Sequence, residues 1–192
     1  MIEMNYQDIN SFKARFPNIK SGREILEMDF PPQEWLIDDL LPIGSALLAG
    51  PPKIGKSYFV LNLIQKILEK NYEVFYFAGE DDYRRIHTRM TQLGIDSERV
   101  LFSAGRVSTL APKGKSALDE MRDMILSRPA IKGIFIDTMA SIMPGRIDLS
   151  DYFGFVEHLK PWADLASGLG INITMVHHSV KGNNQPEHSP LS

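Results

Sequence analysis

Gly50-Pro51-Pro52-Lys53-Ile54-Gly55-Lys56-Ser57 is the stretch that decides the fold. It fits the pattern G-x-x-x-x-G-K-[ST], and its flanks carry as much information as its letters. Upstream, Ser45-Ala46-Leu47-Leu48-Ala49 is small and apolar without a charge, which predicts a strand buried on both faces of a parallel sheet. Downstream, Phe59, Val60, Leu63, Ile64 and Ile67 recur at helical spacing, so the chain is expected to turn directly into a helix with these residues on its buried face. Such a turn leaves backbone N–H groups at the helix start without intrahelical partners, and the helix dipole makes that end attractive to anions.

A polyphosphate fits that description, and each residue type then has a role. Gly50 and Gly55 remove Cβ atoms that would hold the backbone away from phosphate oxygens, and they permit positive φ. Lys56 is placed to reach the β and γ phosphates, and the Ser57 hydroxyl to ligate Mg²⁺. Pro51 and Pro52 have no N–H to give, so the donors gather from Lys53 and Ile54 onward. The predicted cradle is Gly50 to Ser57, with Tyr58 directly after it.

Composition sets outer limits. The chain has 192 residues, 43% hydrophobic and 23% charged, which is ordinary for one globular domain with a real core. A net charge of −3 gives no global attraction to nucleic acid, so any such contact must come from a local patch or from assembly. Cysteine is absent, which excludes disulfides and thiolate-bound zinc. The first residues lack the basic and apolar regions of a signal peptide, and no stretch reaches the length of a membrane span, so a cytoplasmic protein is expected.

Strand and helix patterns alternate along the chain. The first 34 residues show a short helical stretch from Asp8 to Phe16 and no chemistry. Trp35-Leu36-Ile37 reads as a short strand, with the indole expected in the core. Glu73 to Ala78 is a second strand rich in aromatic and β-branched residues, ended by Gly79-Glu80-Asp81-Asp82. Helical spacing follows from Tyr83 to Leu93, then a short strand at Val100-Leu101-Phe102 and a helix marked by Leu118, Met121 and Ile125. Gly133 to Asp137 is a strand, apolar until its last residue. A helix from Asp151 to Leu169 buries Phe155, Leu159, Trp162 and Leu165, with a kink predicted at Pro161. The strand Ile171 to Val176 delivers His177 and His178, and a polar tail, residues 182–192, is expected to be disordered.

The alternation implies an α/β fold with a mostly parallel sheet covered on both faces. In such sheets ligands bind at the carboxyl ends of the strands, which singles out Gly50, Glu80, Asp137 and the His177-His178 pair. Asp137, an acid ending an apolar strand, fits a carboxylate that holds magnesium beside Ser57. Residue 138 is threonine, so a carboxylate to activate the attacking water must come from elsewhere. Glu80 is the best placed, with Asp81 and Asp82 as rivals. One of the two histidines can face the nucleotide, and neighbours on a strand cannot both do so.

These residues together resemble the RecA-like ATPases, and within them the RepA-type hexameric helicases and related AAA-domain ATPases of phages and plasmids. The resemblance spans residues 35–181. It rests on Trp35-Leu36-Ile37, Gly50 to Ser57, Gly79-Glu80-Asp81, Ile136-Asp137-Thr138 and Val176-His177-His178 with Lys181 beyond. It implies a three-layer RecA-like P-loop NTPase binding ATP and Mg²⁺, with Glu80 as catalytic glutamate and Arg89 as its accompanying arginine, Arg85 standing second. It further implies a γ-phosphate sensor at the histidine pair, with His178 assigned to catalysis and His177 to nucleotide binding. Contact with single-stranded DNA through Arg146 and Lys181, and a homo-oligomer, hexameric in the family, complete the picture. Family members continue with further strands and an arginine that reaches a neighbour's ATP, and the stretch ending at Ser192 is expected to lack those strands. The expected activity is Mg²⁺-dependent ATP hydrolysis coupled to single-stranded DNA. The competing expectation is a nucleotide-binding regulatory or assembly module.

Overall fold

A computed structural model describes residues 7–105, 116–142 and 152–178. The chain divides into two units, Met1–Gln33 and Glu34–Ser192. The first holds helix α1 (Gln7–Arg15) and a five-residue helix α2 (Gly22–Leu26), which sequence periodicity misses because it is shorter than two turns. A capping box starts α2: Ser21 Oγ accepts from Glu24 N, and the Glu24 carboxylate accepts from Ser21 N at 2.6 Å. Lys13 also pairs with Glu24, and these contacts, Lys13 first, lower its carboxyl to about 2.

The second unit opens with β1 (Trp35–Ile37) and β2 (Leu41–Pro42), an antiparallel pair. Then β3 (Gly44–Gly50), α3 (Lys56–Glu69), β4 (Glu73–Ala78), α4 (Tyr83–Leu93) and β5 (Val100–Ala104) follow in turn. After them come α5 (Ala117–Ser127), β6 (Ile131–Asp137), α6 (Tyr152–Leu169) and β7 (Asn172–His178). The last five strands form one parallel sheet in the order β3-β7-β6-β4-β5. The parallel α/β sheet is what the alternation implies, and its arrangement is the RecA-like P-loop one that the resemblance implies.

Period-two alternation sorts each central strand between two cores. On one face Val74, Tyr76, Ala78, Phe135 and Val176 meet Val60, Leu61, Ile64 and Ile67 of α3 and Ile86 of α4. On the other, Phe75, Phe77, Ile134, Ile136, Ile173 and Met175 meet Met121 and Ile125 of α5 and Trp162 and Leu165 of α6. Three layers result. Gly133 belongs to this packing, since a Cβ there would stand 3.1 Å from Ile67 Cδ1.

Several expectations need correction. Strand β3 is not buried on both faces: it lies at the sheet edge, and Ser45, Leu47 and Ala49 are exposed while Ala46 and Leu48 pack into the core. Leu47 is 45% exposed for that reason. Phe59 is exposed as well, and Leu61 takes the core position beside Val60. Trp35 is 38% exposed rather than a core indole, because Leu36 is the residue of β1 that points inward. As expected, helix α6 continues past Pro161 to Leu169. Strand β5 extends two residues past Phe102, paired with Phe77 and Ala78 of β4. Among the described residues no helix is long and apolar enough to cross a membrane.

Candidate active site

The sheet register brings the strand ends together. Gly50 pairs with His178, and Asp137 pairs with Val176 on one side and Ala78 on the other. The residues that follow these ends therefore surround one space. It is a cavity of about 380 Å³ lined by Pro52, Lys53, Gly55, Lys56, Ser57 and Tyr58 of the cradle. Glu80, Asp81, Arg85, Arg89, Asp137 and His178 line it from the other strand ends and from α4. Gly50, Pro51, Ile54 and His177, also expected to bind nucleotide, do not line it; Ile54 is 66% exposed.

Positive φ falls on Gly55 (97°) and on Lys53 (66°), whereas Gly50 has none. Gly55 is the N-cap of α3 and offers no side-chain acceptor, so the helix's first N–H groups stay available to an anion. Lys56 is buried, and its ammonium is held by three acceptors: Gly50 O at 2.8 Å, Pro51 O at 2.8 Å and His178 Nδ1 at 2.9 Å. An ammonium has three donors and no acceptor, so His178 Nδ1 must be unprotonated and its proton sits on Nε2. That Nε2 lies 3.5 Å from Glu80 Oε2. His177, the neighbour on the other face of the strand, has its pKa lowered, chiefly by burial.

Asp137 ends β6 nearly buried, and its Oδ2 accepts from Ser57 Oγ at 2.7 Å and from Tyr76 Oη at 2.8 Å. Ser57 and Asp137 are hard oxygen donors, and among the described residues no group of three or more acidic or histidine side chains forms a protein cage. That set fits Mg²⁺, which takes one or two protein oxygens and fills its remaining positions with phosphate and water.

The three acids after β4 separate by partner. Asp82 caps α4, accepting from Arg85 N at 2.9 Å, and Asp81 pairs with Arg85 at 3.1 Å and with Arg89. Among the described residues, Glu80 neither caps the helix nor pairs with an arginine. Its Oε1 accepts from Thr138 Oγ1 at 2.8 Å, and its side chain is 55% exposed toward the cavity. Arg89 lies over the Tyr58 ring at 5.7 Å. Burial opposes the Arg89 charge, but the Asp81 ion pair outweighs it and raises the guanidinium pKa.

Two polar side chains at this site escape a reading of the sequence. Thr138, noted in the sequence only for not being an acid and given no role there, is 2% exposed and serves as the donor that holds Glu80. Tyr76 reads as one more apolar strand residue; the only cue is a phenol in a strand whose other residues after Glu73 are apolar, and a buried phenol must find an acceptor. Arg146 and Lys181, the expected DNA contacts, lie outside the described residues, as do residues 182–192 and Asp151 at the expected helix start.

Gly79 fixes the geometry between Glu80 and Thr138. A Cβ on Gly79 would fall 2.1 Å from Ser141 Oγ and 2.2 Å from Ser141 Cβ. Gly79→Ala must therefore displace the turn carrying Thr138. It is expected to cost about 1–3 kcal/mol of stability in a denaturant melt, as overpacking does, and to lower turnover with it.

A family model described as "AAA domain" matches residues 13–184. Relatives include the "DNA repair protein RadA" of Halalkalibacterium halodurans, 25% identical over 142 residues, which is 74% of this chain and 29% of the relative. The "DNA repair protein RadA" of Chlamydia muridarum is 29% identical over 102 residues, 53% of this chain and 21% of the relative. The chain thus spans less than a third of either relative's length.

Proposed function

The chain belongs to the AAA domain family of RecA-like P-loop ATPases, and from that premise we propose that it hydrolyses ATP with Mg²⁺ at the cradle between β3 and α3, coupled to single-stranded DNA. The observation that carries the reading is the opening of Lys56, the Ser57–Asp137 pair and Glu80 onto one cavity. Loop N–H groups and Lys56 bind the phosphates. Ser57 and Asp137 hold Mg²⁺, which when bound offsets charge on the phosphate oxygens. Glu80, aimed by Thr138, takes a proton from water as the water oxygen bonds to the γ phosphorus and the bond to the β-phosphate oxygen breaks. Arg89, steered by Asp81 and Tyr58, supplies positive charge at the same end, and His178 links the γ-phosphate position to Glu80.

A role on DNA is supported by the name "DNA repair protein" that both relatives carry; coupling to single-stranded DNA in replication or recombination, as a helicase-type oligomeric motor, rests on the sequence resemblance. The test is ATP hydrolysis with and without single-stranded DNA across a salt series. Light scattering in ATP and Mg²⁺ reads assembly alongside it. Hydrolysis should require Mg²⁺, rise with single-stranded DNA at low salt, and lose that stimulation as salt screens phosphate contacts. Absence of hydrolysis would reduce the protein to a nucleotide-binding module. Hydrolysis indifferent to DNA at low salt would end the motor reading.

A further inference from the structure

Strands β4 and β6 pair with Ala78 opposite Asp137, so Tyr76, two residues earlier, stands on the same face one diagonal step from the carboxylate. A long side chain can span that step. Tyr76 is 1% exposed, with Phe102 edge-on to its ring at 5.5 Å and 85°. The hydroxyl donates to Asp137 Oδ2, the same oxygen that receives the Ser57 proton. Among the described residues no hydrogen bond reaches Asp137 Oδ1.

The two donors differ in origin. Ser57 belongs to the cradle and is itself a candidate metal ligand, so its geometry answers to the nucleotide. Tyr76 comes from the middle of the sheet and answers only to the core.

We propose that Tyr76 is a positioning residue for the divalent cation: its hydroxyl pins Asp137 Oδ2 so that Oδ1 is the oxygen presented to the metal and its water. The proposal rests on the Mg²⁺-nucleotide reading of the site. Partners one step behind a metal-binding side chain set its orientation, and their loss weakens metal binding by about 10- to 100-fold. Phosphate binding without metal depends on Lys56 and the cradle and is left alone.

The experiment uses the whole chain with a fluorescent ATP analogue, first in EDTA and then titrated with Mg²⁺; Mn²⁺ binding in the presence of ADP, read by electron paramagnetic resonance, checks the metal directly. Tyr76→Phe keeps the ring and should bind the analogue normally in EDTA, with a Mg²⁺ midpoint about tenfold higher and Mn²⁺ correspondingly weaker. Phe102→Leu loosens the same ring contact without touching the hydroxyl and should leave the midpoint where it is. An unchanged midpoint in Tyr76→Phe, or an equal shift in Phe102→Leu, overturns the positioning role. An unsubstituted chain whose nucleotide binding ignores Mg²⁺ altogether overturns the magnesium reading, and the role of Tyr76 with it.

Discussion

Glu80→Gln is expected to bind ATP as the unsubstituted chain does and to turn it over about 10²–10⁴-fold more slowly, the usual worth of a positioned general base. Glutamine has the same length and shape, and its carbonyl oxygen can still accept from Thr138 Oγ1, so the side chain stays at the cavity mouth. What it loses is the ability to take a proton from water. The neighbouring acids cannot readily replace it. Asp82 is committed to the start of α4, and Asp81 is held by Arg85 and Arg89. Steady-state hydrolysis paired with equilibrium nucleotide binding makes the distinction. Undiminished turnover would remove Glu80 from the mechanism, whereas lost binding would show that its charge mainly organises Thr138 and His178.

The parts of this site that are legible in the sequence are those whose chemistry is local. A glycine-rich turn between a strand and a helix needs no knowledge of strand order, and an acid closing an apolar strand is visible wherever that strand lies. What cannot be read depends on neighbours across the sheet. The exposure of Leu47 follows from β3 being an edge strand, and strand order has no local signature in a run of small apolar residues. Tyr76 meets Asp137 only because β4 and β6 are adjacent and in a particular register, 61 residues apart in sequence. Thr138 escapes by the same logic, since its role lies in the residue it orients. Phe59 fits the helical stripe of α3 by spacing alone, yet faces outward, because the stripe that the sheet covers is centred on Val60, Ile64 and Ile67. For the cradle glycines, the motif assigns both positions the same freedom, and only Gly55 uses it.

Lys56→Ala should abolish useful nucleotide binding. Removing one member of a buried, hydrogen-bonded charge contact costs about 2–5 kcal/mol, which is about 30- to 5,000-fold in affinity. Lys56 belongs at the upper end. It is 7% exposed, and all three of its donors are already engaged with acceptors of the cradle and β7, so the ammonium is placed before any phosphate arrives. Phosphate oxygens need only displace part of that set, and little ordering of a long side chain remains to oppose binding. The alanine also leaves Gly50 O and Pro51 O without their partner and frees His178 Nδ1, so the loop and the link to Glu80 loosen together. Lys56→Arg separates charge from geometry: a planar fork cannot meet three acceptors arranged around a compact ammonium, so affinity should fall although the charge is kept. Thermal melts without nucleotide should show both variants folded, since the core lies beneath α3 rather than at its first residue. An alanine variant that binds the fluorescent analogue at the original affinity would mean that the loop N–H groups hold the phosphates alone, and the ammonium would then be a structural clamp on the cradle.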